Sequence, residues 1–265
     1  CSEMGFACCD EALQIMGGEG YMTENVVERL WRDSRINTIV EGANQVMHSF
    51  LFSYGSKQLG EYMLGVRAAP VKNIKAAIKI AIELFLNVRP AAPRISGFNS
   101  ELKGHVDTLE DLVREFSHQV KMMFKVHEEE LITRQTIQKR LSICVIWIHA
   151  MSCCLSRIDR SMKEGVEGKA KALELATVNH VFALGRKRVL DNLRELRNNT
   201  DETMRTLANE LDSYVDTLPN SDYFMPERTP VESVRGTGRQ TDDEAIQQFG
   251  EDSIYPSFRK AFDQS

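Results

Sequence analysis

Ile137, Leu141, Cys144, Ile148, Met151, Leu155 and Ile158 follow one another in alternating steps of four and three. That spacing lays one continuous apolar stripe along a helix of 3.6 residues per turn. A stripe six turns long must be buried, and partner helices of similar length are the simplest way to bury it. A shorter stripe precedes it, at Leu109, Leu112, Phe116, Val120, Met123 and Phe124. A noisier one follows, at Leu173, Ala176, His180, Leu184 and Leu193. Glu164-Gly165 and Gly168 break the pattern between the second and third. No run alternates with period two. The expected fold is therefore all-α: an antiparallel bundle of long amphipathic helices.

The flanking segments are more varied. Residues 1 to 16 read as a helix stopped by Gly17-Gly18. Residues 24 to 40 are charged and mixed, and Glu28, Arg29, Arg32, Asp33 and Arg35 read as an ion-pair stretch. Another helix begins near Asn44. "PVKNIKAAIKIAIELFLNVRP" runs from Pro70 to Pro90, with proline punctuating both ends. Residues 90 to 104 are linker-like. A helix over about 200 to 218 ends at Pro219. An irregular polar arm follows, with Ile254, Tyr255, Phe258 and Phe262 as anchors for a last short helix.

Composition closes several classes. A net charge of -5 gives no pull toward nucleic acid. No uninterrupted apolar run of bilayer length is present. The six cysteines show neither C-x-x-C nor a zinc spacing, so reduced structural thiols are expected and no metal. The chain opens on Cys1 inside a helical pattern, as if cut from something longer. His127 in "HEEEL" lacks the second histidine of a zinc helix and reads as part of a solvated charge run. His149 and His180 lie beside apolar stripes and read as core or rim histidines.

The most specific text lies near the start. "EALQIMGGEGYMTENVVERLWRDSRI" and then "IVEGANQV" place a glycine cluster, Glu-Arg, Arg-Asp and Glu-Gly at near-fixed gaps. These residues resemble the last part of the catalytic region of the acyl-CoA dehydrogenases. The helical extension after them is similar to the very-long-chain branch of that family. The resemblance implies residues 1–62 as the end of a catalytic helical domain and 66–265 as an additional C-terminal helical domain.

It also implies an activity: oxidation of a long acyl-CoA thioester to the trans-2-enoyl-CoA, with FAD as cofactor. Glu41 maps onto the base that removes the α proton. Its backbone N–H, with a flavin ribose hydroxyl, would hold the thioester carbonyl. Gly42 would let the substrate approach. Burial among Ile39, Val40 and the acyl chain would raise the basicity of Glu41. Gln14, Ile15, Met16, Gly17 and Gly18 match the stretch that contacts FAD across the dimer interface. Ala43, Asn44 and Gln45 match a second FAD-contact stretch at a helix N-terminus.

The sequence departs from the family at Ala43, where threonine is usual, and at His48, where arginine is frequent. The implied partners are acyl-CoA, an electron-transfer flavoprotein or similar acceptor, and a second copy of the chain. The implied place is the bacterial cytoplasm, peripheral to the inner membrane, or the mitochondrion. By itself this stretch is expected to be folded, inactive and without flavin. Residues 70 to 90 pair a lysine side (Lys72, Lys75, Lys79, with Glu83) with an apolar one (Ile74, Ala77, Ile78, Ala81, Ile82, Phe85). They suit either a core helix or, as the resemblance implies, a helix on a membrane surface. The alternative to an enzyme is a non-catalytic docking module.

Overall fold

A computed structural model describes residues 1–215, and all regular structure among them is helical. The last short helix expected around Ile254 to Phe262 lies outside the described residues. Backbone contacts group Cys1–Asp201 as one unit and Glu202–Ser265 as another.

The first unit opens with α1 (Ser2–Met16), the single turn α2 (Gly18–Tyr21) and α3 (Val26–Ile36). Gly17 ends α1 at φ 60, a conformation glycine adopts without penalty. Gly20 is buried, and a Cβ there would come within 2.8 Å of the Leu13 carbonyl oxygen. Glycine is thus what lets the chain double back against α1. The charged segment 24–40 is mostly helix α3. Asn25 caps it by accepting from the Val27 N–H at 3.0 Å, and Trp31 donates to Asp10 of α1 at 2.8 Å. The ion pairs Arg32–Glu28 and Arg29–Asp33 run along α3, as the sequence suggested.

Helix α4 (Asn44–Ala68) leads to α5 (Ile74–Phe85), and three long helices follow: α6 (Lys103–His127), α7 (Gln135–Lys163) and α8 (Gly168–Glu195). They share one core. Every residue of the α7 stripe is buried, apart from Ile148, which is partly so. Leu109, Leu112, Val120 and Met123 meet it from α6. Helix α7 is also long and apolar enough to cross a membrane by length and composition. In the described fold it packs against α4, α6 and α8. The fit between α7 and α8 is close: a Cβ on Gly185 would lie 2.7 Å from the Met151 sulfur.

The expected stripe of α8 is corrected. Leu173 and His180 are exposed, and the inward face is Val178, Phe182, Gly185, Val189 and Leu193. Ala170, Ala172, Ala176 and Ala183 fit either side of a helix, so the pattern lost its phase. The close approach at Gly185 sets it. His149 is exposed too; the buried histidines are His48 and His118.

Helix α5 turns Ile74, Ile78, Ile82 and Phe85 outward and buries Glu83 and Leu84. Glu83, expected on the solvated side, instead accepts two hydrogen bonds from Lys121 of α6 at 2.9 Å. Beyond α5, Arg89 grips Glu115 through two bonds of 2.9 and 3.1 Å. This pairing holds the Glu115 carboxyl below the usual carboxylate range. All six cysteines are free thiols. Burial pushes the Cys144 thiol up to about 12, so it is inert.

In the second unit the described residues continue helix α9 (Asp201–Val215), with Met204, Leu207, Leu211 and Tyr214 on one side.

Candidate active site

The segment between α3 and α4 is short and tightly wound. The Ile39 and Val40 amides both donate to the Ile36 carbonyl, at 2.9 and 3.0 Å. Thr38 is buried, and its hydroxyl donates to the Arg35 carbonyl at 2.9 Å. Its own carbonyl accepts from the Asn44 amide at 3.1 Å, closing a loop over residues 38–44. The chain can turn within that loop only by entering the left-handed region twice, with Glu41 at φ 57 and Gly42 at φ 98. For glycine this is ordinary. For glutamate it is uncommon and costs on the order of 1–3 kcal/mol.

Glu41 is exposed, and no hydrogen bond among the described residues uses its amide or its carboxylate. Ile39 and Val40 beside it are 51% and 46% exposed. The apolar cover expected around Glu41 is therefore not built by the described residues of this chain. Gly42 leaves 3.0 Å between a hypothetical Cβ and the Met47 sulfur, so the backbone there is open on the other sides.

Ala43, Asn44 and Gln45 form the start of α4. Ala43 gives no side-chain cap. The Gln45 and Val46 amides, which lack an acceptor within the helix, make no backbone hydrogen bond among the described residues. The Asn44 side chain is turned toward the start of α1: Ser2 donates to its Oδ1 at 3.0 Å, and its Nδ2 approaches Glu3 at 3.4 Å. One turn on, His48 is buried, and that burial pushes its imidazole below the ordinary histidine range. Its carbonyl accepts from Ser142 of α7 at 2.6 Å, tying α4 to the bundle.

Gln14, Ile15, Met16, Gly17 and Gly18 are all exposed, Ile15 by 84%. They lie at the far end of α1 from Asn44. The helical rise of about 1.5 Å per residue puts Gln14 roughly 18 Å from Ser2. The structure therefore keeps Glu41, Gly42, Ala43, Asn44 and Gln45 together and leaves the 14–18 stretch apart from them. Sequence reading missed Thr38 and the Asn25 cap. An Asn-Thr pair just past a helix end was the available signal for the first.

Comparison with known proteins matches the front of the chain and the bundle separately. Residues 1–52 match the family of the acyl-CoA dehydrogenase C-terminal domain. Residues 100–214 match the family of the ACAD9/ACADV C-terminal domain. The chain is 31% identical over 170 residues to the very long-chain specific acyl-CoA dehydrogenase of Bos taurus mitochondria, covering 62% of this chain. It spans about a quarter, 26%, of that relative's length. It is 46% identical over 46 residues to isobutyryl-CoA dehydrogenase of the same organism, covering 17% of this chain and 11% of the relative. In fold it is similar to an acyl-CoA dehydrogenase from Bacillus anthracis solved in complex with FAD. The TM-score is 0.56 at 20% identity, over 78% of this chain and 34% of that one. With both family matches in this order along one chain, it corresponds to the C-terminal part of a protein like the very long-chain acyl-CoA dehydrogenases.

Proposed function

We propose that the chain is the C-terminal part of a FAD-dependent enzyme that dehydrogenates long acyl-CoA thioesters between Cα and Cβ, with Glu41 as the base. One observation carries this reading. Glu41 holds an unused amide and an unused carboxylate on a single left-handed residue, next to a glycine. The carboxylate takes the α proton. The amide donates to the thioester oxygen as negative charge gathers there, and Gly42 leaves room for the thioester. Ile39 and Val40 offer apolar surface that a substrate chain covers, drying the carboxylate and strengthening it as a base. FAD, when bound, accepts the hydride that leaves Cβ.

The residues fit such a group. The unused Gln45 and Val46 amides at the start of α4 suit an anion such as its pyrophosphate. Gln14 to Gly18 present exposed backbone at a glycine turn. The resemblance has the 14–18 stretch contact the flavin of a second copy, which supports a homodimer. Reducing equivalents then pass to an electron-transfer flavoprotein or a similar acceptor. Residues 1–62 belong to the catalytic part and residues 66–265 form the additional domain. The enzyme works inside the cell, in the mitochondrion or in the bacterial cytoplasm at the inner membrane.

Glu41→Gln in the full-length parent tests this. Flavin reduction by acyl-CoA, followed by stopped flow, is expected to slow by about 10²–10⁴-fold, with FAD and acyl-CoA binding retained. Reduction at the wild-type rate would reject Glu41 as the base.

A second reading concerns α5. Ile74, Ile78, Ile82 and Phe85 stand 57%, 54%, 42% and 73% exposed on one side of a single helix. Such a ridge, with Lys72, Lys75 and Lys79 nearby, supports contact with an anionic membrane surface. Were Glu41 inert, this docking role would be what remains.

A further inference from the structure

A second concave surface opens between the segment after α5, the middle of α6 and the end of α8, with a volume of about 610 Å³. Arg89, Arg194 and Arg197 line it, together with Leu190 and Leu193. Among the described residues Glu115 is the only carboxylate in the lining, and it is already engaged by Arg89 and by the Gln119 amide at 2.7 Å.

The three guanidiniums differ in how free they are. Arg89 makes four hydrogen bonds, to Glu115 and Asn87, out of five N–H groups; it is held rigidly with one donor to spare. Arg194 gives one long bond of 3.2 Å to Asp191 and is otherwise exposed. The Arg197 guanidinium makes no hydrogen bond or ion pair among the described residues. Positive charge is therefore left over in a concavity that also offers an apolar wall. Guanidinium forks match phosphate oxygens geometrically, and several of them supply more donors than a carboxylate has oxygens to use. A lone phosphate would fill a fraction of the space and leave Leu190 unused.

We propose that this surface binds a phosphate ester with an apolar remainder, the phosphate on Arg89, Arg194 and Arg197 and the remainder against the partly buried Leu190. The bland competitor is that Arg194 and Arg197 only offset the negative end of the α8 dipole and face water.

Calorimetric titration of the chain with four probes separates these. They are dihexanoyl phosphatidate below its micellar concentration, glycerol 3-phosphate, inorganic phosphate and hexanoate. Dihexanoyl phosphatidate is expected to bind tightest and hexanoate weakest, with affinity falling as salt rises. Arg197→Gln removes one charge-assisted hydrogen bond to the phosphate and is expected to weaken phosphatidate about tenfold, with an unchanged melting temperature. Leu190→Ser should weaken phosphatidate and leave glycerol 3-phosphate alone. The proposal is overturned if no probe binds, if hexanoate equals phosphatidate, or if Arg197→Gln binds as wild type does. Glycerol 3-phosphate binding as tightly as phosphatidate would overturn the apolar half and mark a site for soluble phosphates.

Discussion

Helices α1 to α3 and helices α6 to α8 are built from similar proportions of apolar residues, yet they use them in opposite ways. Across α6–α8 the stripes vanish into one core, with Cys144, Met151, Leu155, Val178 and Val189 fully buried. Helices α1 and α3 bury no apolar side chain completely, while Ile15, Tyr21, Met22 and Val26 stand mostly exposed. The bundle is folded by its own hydrophobic burial. The front end is held by small devices: a glycine contact, an asparagine cap, a Trp–Asp bond and the Thr38 loop closure. The loop around Glu41, whose own amide makes no hydrogen bond among the described residues, lies in the second kind of region, where surface is left for a ligand. The exposed apolar residues there form surface that a ligand or partner could cover.

The largest test of that contrast is a pair of truncations. Leu155→Ala removes a fully buried side chain and is expected to cost about 2–5 kcal/mol in chemical denaturation. Ile15→Ala should stay within about 0.5 kcal/mol in this chain. Equal losses would break the comparison. A loss at Ile15 that becomes large only in the full-length parent would sharpen it.

Helix α5 is the next case, a bundle neighbour that behaves like the front end. Ile78→Glu with Ile82→Glu changes exposed positions, so the melting temperature should hold while flotation with anionic liposomes is lost. Each apolar side chain buried at an interface is worth roughly 1.5–3 kcal/mol, so two are enough to decide binding. A fall in melting temperature would place the ridge in a packed interface. Wild type that never floats would remove the membrane reading.

The smallest effect is electrostatic. Glu115 has a depressed pKa in the folded chain because Arg89 holds it ionised. A depressed carboxyl contributes stability above its unfolded value near 4.5, and that contribution fades as pH falls toward the folded value. Thermal melts should therefore drop more steeply below about pH 4.5 for wild type than for Glu115→Gln. Parallel slopes would show that the Arg89–Glu115 contact does not fasten the segment after α5.

Much of this was legible in the residues. The all-helical character, the α6 and α7 stripes, the stop at Gly17, the start near Asn44 and the turn at Gly165 are local statements, and hydrophobic period and glycine chemistry act locally. The Glu-Gly pair and the glycine cluster also announced themselves, through fixed gaps in one short stretch.

Other properties were decided in three dimensions. The phase of α8 depends on where α7 comes close enough to demand Gly185, which no alanine-rich pattern records. The inward turn of Glu83 depends on Lys121 from another helix. The loop around Glu41 takes its shape from a Thr38 carbonyl meeting the Asn44 amide. The sequence by itself determined which segments are helices and which residues could do chemistry, because propensity and periodicity are set within a few turns. Which face of each helix is spent on folding, and which is left for a ligand, only the packing of distant segments could decide.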